Sequence, residues 1–238
     1  MSKMASTTLV LAYYENADML KVQYAAVRAL PDRLRDLLGV VVVDDGSPTK
    51  PAVAEDLGGV PLQIYRIRKD IRWNQDACRN IGVRHAETNW VLLTDMDHVP
   101  TEKLWAHVLL RGWDQHVAYT FGRVSAPDMT PYKPHPNSWL MSRWLYEEVG
   151  GYDERFAGLY GTDGDFRDRL ATKATAIKRV KADLIRYPRT LVPDASTTTY
   201  LRKQPEDLPG IARVRRERAA LEDQRPLRYR FKYDRVAP

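Results

Sequence analysis

The sequence predicts an α/β fold in which a mainly parallel sheet carries helices on both faces. Short apolar runs rich in β-branched residues alternate with amphipathic segments, which is the pattern of repeated strand–helix units. The run GVVVV is continuously apolar, as in strands that are covered on both faces. The 238 residues with 44% hydrophobic content suffice for one large domain, and no Gly/Ser linker or internal repeat divides them.

The individual elements follow from the spacing of the apolar residues. Continuous or alternating apolar runs predict strands at 8–12, 39–43, 62–68, 90–94 and 117–124. Spacing near 3.6 residues predicts helices at 19–30, 76–85, 101–112, within 142–156, and in 161–170. Pro31 and the pair Gly150-Gly151 are expected to end two of these helices. The Pro-rich segment 126–136 is expected to be a loop.

Polar clusters follow three of the predicted strands, namely Tyr14-Glu15-Asn16, Asp44-Asp45-Gly46-Ser47 and Asp95-Met96-Asp97-His98. Parallel sheets bind ligands beyond the carboxyl ends of their strands, so we expect these clusters to meet at one edge. Two carboxylates spaced Asp-x-Asp on an extended chain point to the same side. Their oxygens suit Mg²⁺ or Mn²⁺, although capping the next helix or forming a turn explains such a pair equally well.

Composition limits the class of protein. The single cysteine, Cys78, excludes an intrachain disulfide and favours a reducing compartment. No segment approaches the roughly 20 apolar residues of a membrane span, so we expect a soluble, cytoplasmic protein.

The net charge of +6 is concentrated at the C-terminus. Residues 202–238 hold 11 Lys/Arg and 6 Asp/Glu, whereas the rest holds 26 and 25. A basic tail of this kind indicates a phosphate-rich partner, such as nucleic acid or anionic lipid. The alternative is a solvated helix face whose cations have acidic partners of their own.

Three longer segments carry a family resemblance: VVVDDGSP, then CRNIGVRHAETNWVLLTDMDHVP, then GGYDERFAGLYGTDGDFRDRL. In this order they resemble the family 2 glycosyltransferases with the GT-A fold, over roughly residues 7–172. The resemblance implies a GT-A catalytic domain at 1–200, with a nucleotide-binding half at about 1–100 and an acceptor-binding half at about 101–200. A basic helical tail at 201–238 would follow.

The implied activity is transfer of a sugar from a nucleotide-sugar, above all a UDP-sugar, to an acceptor hydroxyl with inversion. Mn²⁺ or Mg²⁺ is the implied cofactor. The resemblance implies nucleotide-binding roles for Tyr14, Glu15, Asp44, Asp45, Arg79, Asn80 and Asp95. In it, Asp45 binds the nucleobase edge, and Asp95 faces the ribose or a metal-bound water. An Asx turn at Asp44-Asp45, packing of Tyr14 and an exposed helix position for Arg79 are the competing interpretations.

The resemblance also implies that Asp97 binds the metal directly. Many family members take a further ligand from a late His, but the His residues here are 85, 98, 107, 116 and 135, and none follows the acidic motif. Asp194 is therefore the substitute candidate. His98 adjoins the metal motif, where it would contact the diphosphate or fix the loop.

The catalytic base of the family lies in an acidic pair that normally reads Glu-Asp. Here the pair reads Thr162-Asp163, so the Glu is missing and Asp163 is the predicted base. Asp165 is the reserve candidate or a helix-start acid favoured by the helix dipole. Trp139 is predicted to line the acceptor or sugar site, with core packing as the alternative.

The acceptor is left open between a glycan, a lipid-linked intermediate, a protein and a modified nucleic acid, and the basic tail would guide a polyanionic one. The Pro-rich segment 126–136 would shape or close the acceptor site. Two other functions fit the residues less well. One is a non-catalytic sugar- or nucleic-acid-binding module on the same fold. The other is a haloacid-dehalogenase-like phosphatase, whose Asp-x-Asp usually follows the first core strand.

Overall fold

The computed structural model describes residues 6–222 and 225–237. The described strands are β1 (Thr7–Tyr13), β2 (Leu38–Asp44), β3 (Leu62–Ile67), β4 (Trp90–Asp95), β5 (His98–Pro100), β6 (Val117–Ser125), β7 (Thr130–Tyr132), β8 (Trp139–Ser142), β9 (Ala176–Arg186) and β10 (Tyr233–Ala237). The described helices are α1 (Ala17–Arg28), α2 (Asp32–Arg35), α3 (Gln75–His85), α4 (Glu102–Leu109), α5 (Arg143–Val149), α6 (Asp163–Lys173), α7 (Thr197–Arg202) and α8 (Leu208–Ala219), with a 3₁₀ turn at Glu154–Phe156.

All these strands belong to one sheet of order β10-β3-β2-β1-β4-β8-β6-β9-β5, with β7 paired to β6. The four strands β3, β2, β1 and β4 run parallel, and β8 joins β4 antiparallel. Beyond β8, β6 and β9 are parallel to each other. The predicted α/β class with a parallel central sheet is confirmed.

The central strands are buried along their whole length because helices cover both faces of the sheet. Along β1, Leu9 and Leu11 face the cluster that contains α1 and α4, whereas Val10 faces the opposite side. There, a Cβ at Gly82 of α3 would lie 2.2 Å from Val10 Cγ1. The glycine that breaks the helical pattern therefore lets α3 approach β1 closely.

Strand register brings the three polar clusters together as predicted. Tyr13 of β1 pairs with Asp44 of β2, and Ala12 pairs with Asp95 of β4. The segments that follow these positions therefore leave the sheet at the same edge.

The second half of the chain differs from the prediction in several elements. The segment 126–136 contains β7, which folds back on β6. Helix α5, in contrast, ends at Val149 as predicted, because Gly150 takes a left-handed conformation with φ of 83°. Neither β9 nor α7 was predicted, since the alternating Lys and Arg of β9 obscure its β-branched residues.

The C-terminal segment is helical only in part. Among the described residues, helix α8 is followed by the irregular segment 225–232 and then by β10, which pairs antiparallel with β3. The described residues after 201 thus pack in part against the sheet, in contrast to the helical tail that was expected. In the described part of the chain, every helix is too short or too polar to cross a membrane.

Candidate active site

The first group at the sheet edge surrounds Asp45, just after β2. Asp45 is buried, and one carboxylate oxygen accepts a hydrogen bond from Arg202 of α7, which also donates to Asp70. The Arg202 guanidinium carbon lies 3.2 Å from the centre of the Tyr14 ring, and the Tyr14 hydroxyl donates to Asp70 at 3.2 Å. Burial raises the pKa of the Asp45 carboxyl, and the charge of Arg202 opposes that rise.

Two buried polar side chains beside this group have unused hydrogen-bonding capacity. Asp45 Oδ1 has no partner in the described part of the chain, and the same is true of both side-chain atoms of Asn74. The backbone amide of Asn74 faces the Asp45 carboxylate. Since buried polar atoms are nearly always paired, this unpaired cluster indicates a place where a polar ligand binds.

Asp44 and Glu15 build the loops around the site. Asp44 accepts from the amides of Ser47 and Ala52 at 2.8 and 2.9 Å, so it fixes the turn after β2. Glu15, at φ of 54°, accepts from the amides of Thr49 and Lys50 at 2.8 and 3.0 Å. Burial opposes the ionisation of Glu15, but these amides hold its pKa below the ordinary value. Both carboxylates thus accept hydrogen bonds from loop amides. The nucleotide-binding roles of Asp44 and Glu15 stay predictions.

Asp95 ends β4 between an arginine and a histidine. Arg79 Nη2 donates to its Oδ1 at 2.5 Å, and His135 Nε2 lies 3.1 Å from its Oδ2. Burial opposes ionisation of Asp95, but His135 and Arg79 hold the pKa of this carboxyl below its usual range. His135 comes from the end of the Pro-rich segment, and its contact with Asp95 was not predicted.

The rings of His98 and His135 lie with their centroids 4.3 Å apart. His135 contacts Asp95, whereas His98 contacts Asp97. His98 Nδ1 is 2.8 Å from Asp97 Oδ1, and His98 Nε2 is 2.7 Å from Arg123 Nη1. Because a guanidinium only donates, Nε2 must accept and Nδ1 carries the hydrogen, although Nδ1 makes no hydrogen bond of good geometry among the described residues. Burial lowers the pKa of His98, while Asp97 opposes that change. His98 therefore contacts both the Asp97 carboxylate and Arg123 of β6.

The neighbouring residues Arg79 and Asn80 of α3 have different contacts around the site. Burial alone would lower the pKa of Arg79, but its acidic neighbours, chiefly Tyr152, Asp95, Asp76 and Asp163, hold it above its ordinary value. Arg79 thus contacts Asp95 of the Asp-x-Asp motif, and Asp163 at the start of α6 is near enough for their charges to interact. Asn80 instead bonds Tyr146, Tyr152 and Glu154, and it is fully buried among them. Its side chain joins α3 to the Gly-Gly-Tyr-Asp-Glu segment, so a nucleotide contact for Asn80 would need those bonds to break.

The two candidate bases on α6 have different surroundings. Asp163 is partly exposed, and within residues 6–222 and 225–237 its carboxylate has no hydrogen bond or ion pair. Asp165 is buried and accepts from Arg218 at 2.6 Å and from Arg169 at 3.0 Å. Burial opposes ionisation of Asp165, but the hydrogen bonds of Arg218 hold its pKa below the ordinary value. Asp76 lies close enough to Asp163 for their charges to interact, and burial raises the pKa of Asp76 to about 7.

Two predicted site residues have structural surroundings. The Asp194 oxygens accept from the amides of Asp18 and Met19 at 2.7 and 2.9 Å, which caps the start of α1. Both oxygens are used in this way, and the metal-ligand role of Asp194 stays a prediction. Trp139 is 3% exposed and packs beside Phe166 in the core, as the packing alternative predicted.

Two aromatic residues beside the candidate base had no signal in the sequence. The rings of Trp73 and Tyr160 meet edge to face with centroids 4.6 Å apart, and both side chains are partly exposed. Trp73 has φ of 55°, which is strained for a bulky residue. This pair flanks the loop that leads to Asp163.

Comparison with known proteins assigns the fold. The model of the family described as "Glycosyl transferase family 2" matches residues 8–172. The structure of S. aureus TarS 1-349 in complex with UDP-GlcNAc is similar, with a TM-score of 0.66 and 14% identity over 91% of this chain and 67% of that one. GalNAc-T7, solved with UDP, GalNAc and Mn²⁺, is similar with a TM-score of 0.59 and 13% identity over 77% of this chain and 44% of that one.

These neighbours have the GT-A fold, so the predicted fold and family are confirmed. The chain spans 66% of another TarS 1-349 structure, slightly less than two thirds of its length. A search of curated protein sequences found no match.

Proposed function

Because the chain belongs to glycosyl transferase family 2, we propose that it transfers a sugar from a nucleotide-sugar to an acceptor hydroxyl. The observation that carries this proposal is that Asp45 follows β2 and that Asp95 ends β4 with Asp97 just after it, so these carboxylates lie at the same edge of the sheet on either side of β1. Arg79 contacts Asp95 there. UDP-GlcNAc and UDP, bound in the TarS and GalNAc-T7 structures, support a UDP-sugar as the donor.

The Asp45 group is the proposed subsite for the base. An ionised carboxylate only accepts hydrogen bonds, so Asp45 favours a base edge that presents an N–H, as uracil and guanine do. Tyr14 supplies an aromatic face on which a base stacks. For the same edge, the unpaired Asp45 Oδ1 supplies an acceptor and the side-chain amide of Asn74 supplies a donor.

The residues after β4 fit a hard divalent cation. Mg²⁺ and Mn²⁺ bind through one or two carboxylates and complete their shell with waters and substrate phosphates. Asp97 and Asp95 offer two such carboxylates, and no set of three or more His, Cys, Asp or Glu suited to a metal occurs among the described residues. A bound ion would supply charge stabilisation for the departing diphosphate. His98 and Arg79 would hold the two carboxylates in place.

Asp163 is the proposed base. A carboxylate that is held below its ordinary pKa by arginines is a weak proton acceptor, which disfavours Asp165. Asp163 lies at the start of the same helix with its carboxylate free to accept a proton from the acceptor hydroxyl. Attack from the face opposite to the diphosphate in one displacement inverts the anomeric centre.

The acceptor site is proposed on the Asp163 side, where a glycan, a lipid-linked intermediate, a protein or a modified nucleic acid would present its hydroxyl. Exposed arginines of α8, including Arg213 and Arg216, would serve a polyanionic acceptor. Replacing both with Glu should then weaken acceptor binding and reduce its salt dependence. An unchanged salt dependence would remove the polyanion hypothesis.

The test of the proposed function is calorimetric titration of UDP and of GDP, with and without Mn²⁺, into the wild type and Asp97→Ala. We expect Mn²⁺-dependent binding of UDP that the variant loses. Asp128→Ala, in the exposed turn between β6 and β7, is the matched control and should bind like the wild type. UDP-sugars are then screened for hydrolysis and transfer. Absence of nucleotide binding would refute the proposal, and binding without turnover of any sugar would favour the non-catalytic module.

A further inference from the structure

The base subsite of the proposed function is in contact with a side chain of the same protein. Arg202 is 4% exposed, stacks on Tyr14 and donates hydrogen bonds to Asp45 and Asp70. A guanidinium is planar and carries N–H donors along its edge, and it stacks on aromatic rings. These are also the properties by which a uracil or guanine edge would bind the same two residues.

The space available excludes simultaneous binding. At 3.2 Å from the ring centre, the guanidinium touches the Tyr14 face, so no base can stack between them. One oxygen of Asp45 is also used by Arg202. We propose, on the basis of the function proposed above, that Arg202 competes with the nucleobase for this subsite and that donor binding displaces it together with helix α7.

Helix α7 is attached in a way that permits such a movement. Within the described part of the chain, none of its six residues joins a hydrophobic cluster, and Tyr200 and Leu201 are 70% and 56% exposed. Besides Arg202 itself, Arg72 ties the end of the helix by donating to the carbonyls of Arg202 and Lys203 at 3.1 and 3.3 Å. The following residues, 203–207, form no helix or strand.

Breaking a buried ion pair is costly because the carboxylate left behind loses its partner, so displacement requires the base to replace the arginine at Asp45. An arginine that moves into water recovers its hydration. A base gives Asp45 an N–H partner and gives Tyr14 a stacking partner in return. With Arg202 in place, Asp45 Oδ1 and the side-chain amide of Asn74 still have no hydrogen-bond partner among the described residues. A ligand that pairs these atoms as well has an advantage over the arginine.

The test compares UDP affinity in the presence of Mn²⁺ for the wild type, Arg202→Ala and Arg72→Ala. Removing the competitor raises the fraction of protein that is ready to bind, so Arg202→Ala should bind UDP about tenfold more tightly or better. Arg72→Ala keeps the guanidinium of Arg202 but loosens α7, and it should tighten binding by a smaller factor. Arg33→Ala removes the same charge from an exposed position of α2 and should leave the affinity unchanged.

Limited trypsin digestion of the wild type gives a readout that does not depend on a variant. Saturating UDP with Mn²⁺ should increase cleavage after Arg202, because displacement exposes a side chain that is now buried. Weaker or unchanged UDP binding by Arg202→Ala, or protection of this bond by UDP, would overturn the inference while the proposed function stands. If neither the wild type nor the variants bind a nucleotide, the proposed function itself fails and the inference falls with it. Should Arg202→Ala not fold, Arg72→Ala and the digestion still decide.

Discussion

Asn80→Ala is expected to destabilise the fold strongly without removing a nucleotide contact. The side chain amide donates to the Tyr152 carbonyl and to Glu154 at 2.9 Å each. Its oxygen accepts from the Tyr146 hydroxyl at 2.6 Å and from the Tyr152 amide at 2.9 Å. Asn80 and Tyr146 are fully buried, so water does not reach these groups in the native state.

The size of the effect follows from the groups left unpaired. Alanine would leave the Tyr146 hydroxyl and both backbone groups of Tyr152 without these partners, whereas Glu154 keeps the amides of Tyr229 and Arg230. An unsatisfied buried polar group costs about 1–3 kcal/mol, so three such groups give an expected loss of about 3–9 kcal/mol in the free energy of unfolding. Partial entry of water would place the value near the lower limit.

Urea unfolding followed by circular dichroism measures this loss. Asn89→Ala is the matched control, because Asn89 is exposed just beyond α3 and should change stability by less than about 0.5 kcal/mol. Combining Asn80→Ala with Tyr146→Phe should give a coupling energy of about 0.5–3 kcal/mol. An Asn80→Ala variant with unchanged stability and lost UDP binding would refute this reasoning and assign Asn80 to the nucleotide.

Three further predictions concern the carboxylates. Asp163→Asn should lower kcat/KM for transfer by about 10²–10⁴-fold while UDP affinity stays constant; equal losses in both would instead place Asp163 in the donor site. Asp97→Asn should remove the Mn²⁺ dependence of UDP binding in calorimetry, and a dependence that persists would exclude Asp97 as a ligand. The folded pKa of Asp165 is depressed, so its stabilisation is present above its unfolded pKa of about 3.9 and is lost as pH falls through the folded pKa. Acid unfolding of Asp165→Asn should therefore depend less on pH in that range, and an unchanged profile would contradict the ion pairing with Arg218.

The sheet and its edge could be predicted because they depend on local pattern. Continuous apolar runs predicted β1, β2 and β4, and a parallel order then placed the clusters that follow them at one edge of the sheet. Contacts between site residues and distant segments of the chain could not be predicted in this way. Arg202 reaches Asp45 across 157 residues, and neither its helix nor its neighbours carry a signal for that contact. His135 similarly reaches Asp95 from a Pro-rich segment that reads as a loop.

Roles within a motif were also beyond the sequence, because they depend on which hydrogen bonds the side chain already makes. Asp44 and Asp45 are neighbours of the same type, yet Asp44 closes a turn and Asp45 faces Arg202. Arg79 and Asn80 are also adjacent, but α3 turns one toward Asp95 and the other toward the segment at Tyr152. A helix rotates successive residues by about 100°, so neighbours on α3 must face different surroundings.

The basic C-terminal segment helps to determine which aspartate of α6 can act as the base. Arg218 of α8 donates to Asp165 through both of its terminal nitrogens and also to Asp153 at 3.0 Å. These bonds commit Asp165 to holding α8 against α6, and a carboxylate committed in this way is a poor proton acceptor. Asp163, two residues earlier, lies outside this network and keeps the freedom that a base needs. Part of the positive charge that suggested an external polyanion therefore acts inside the molecule, where it separates a structural carboxylate from the proposed catalytic one.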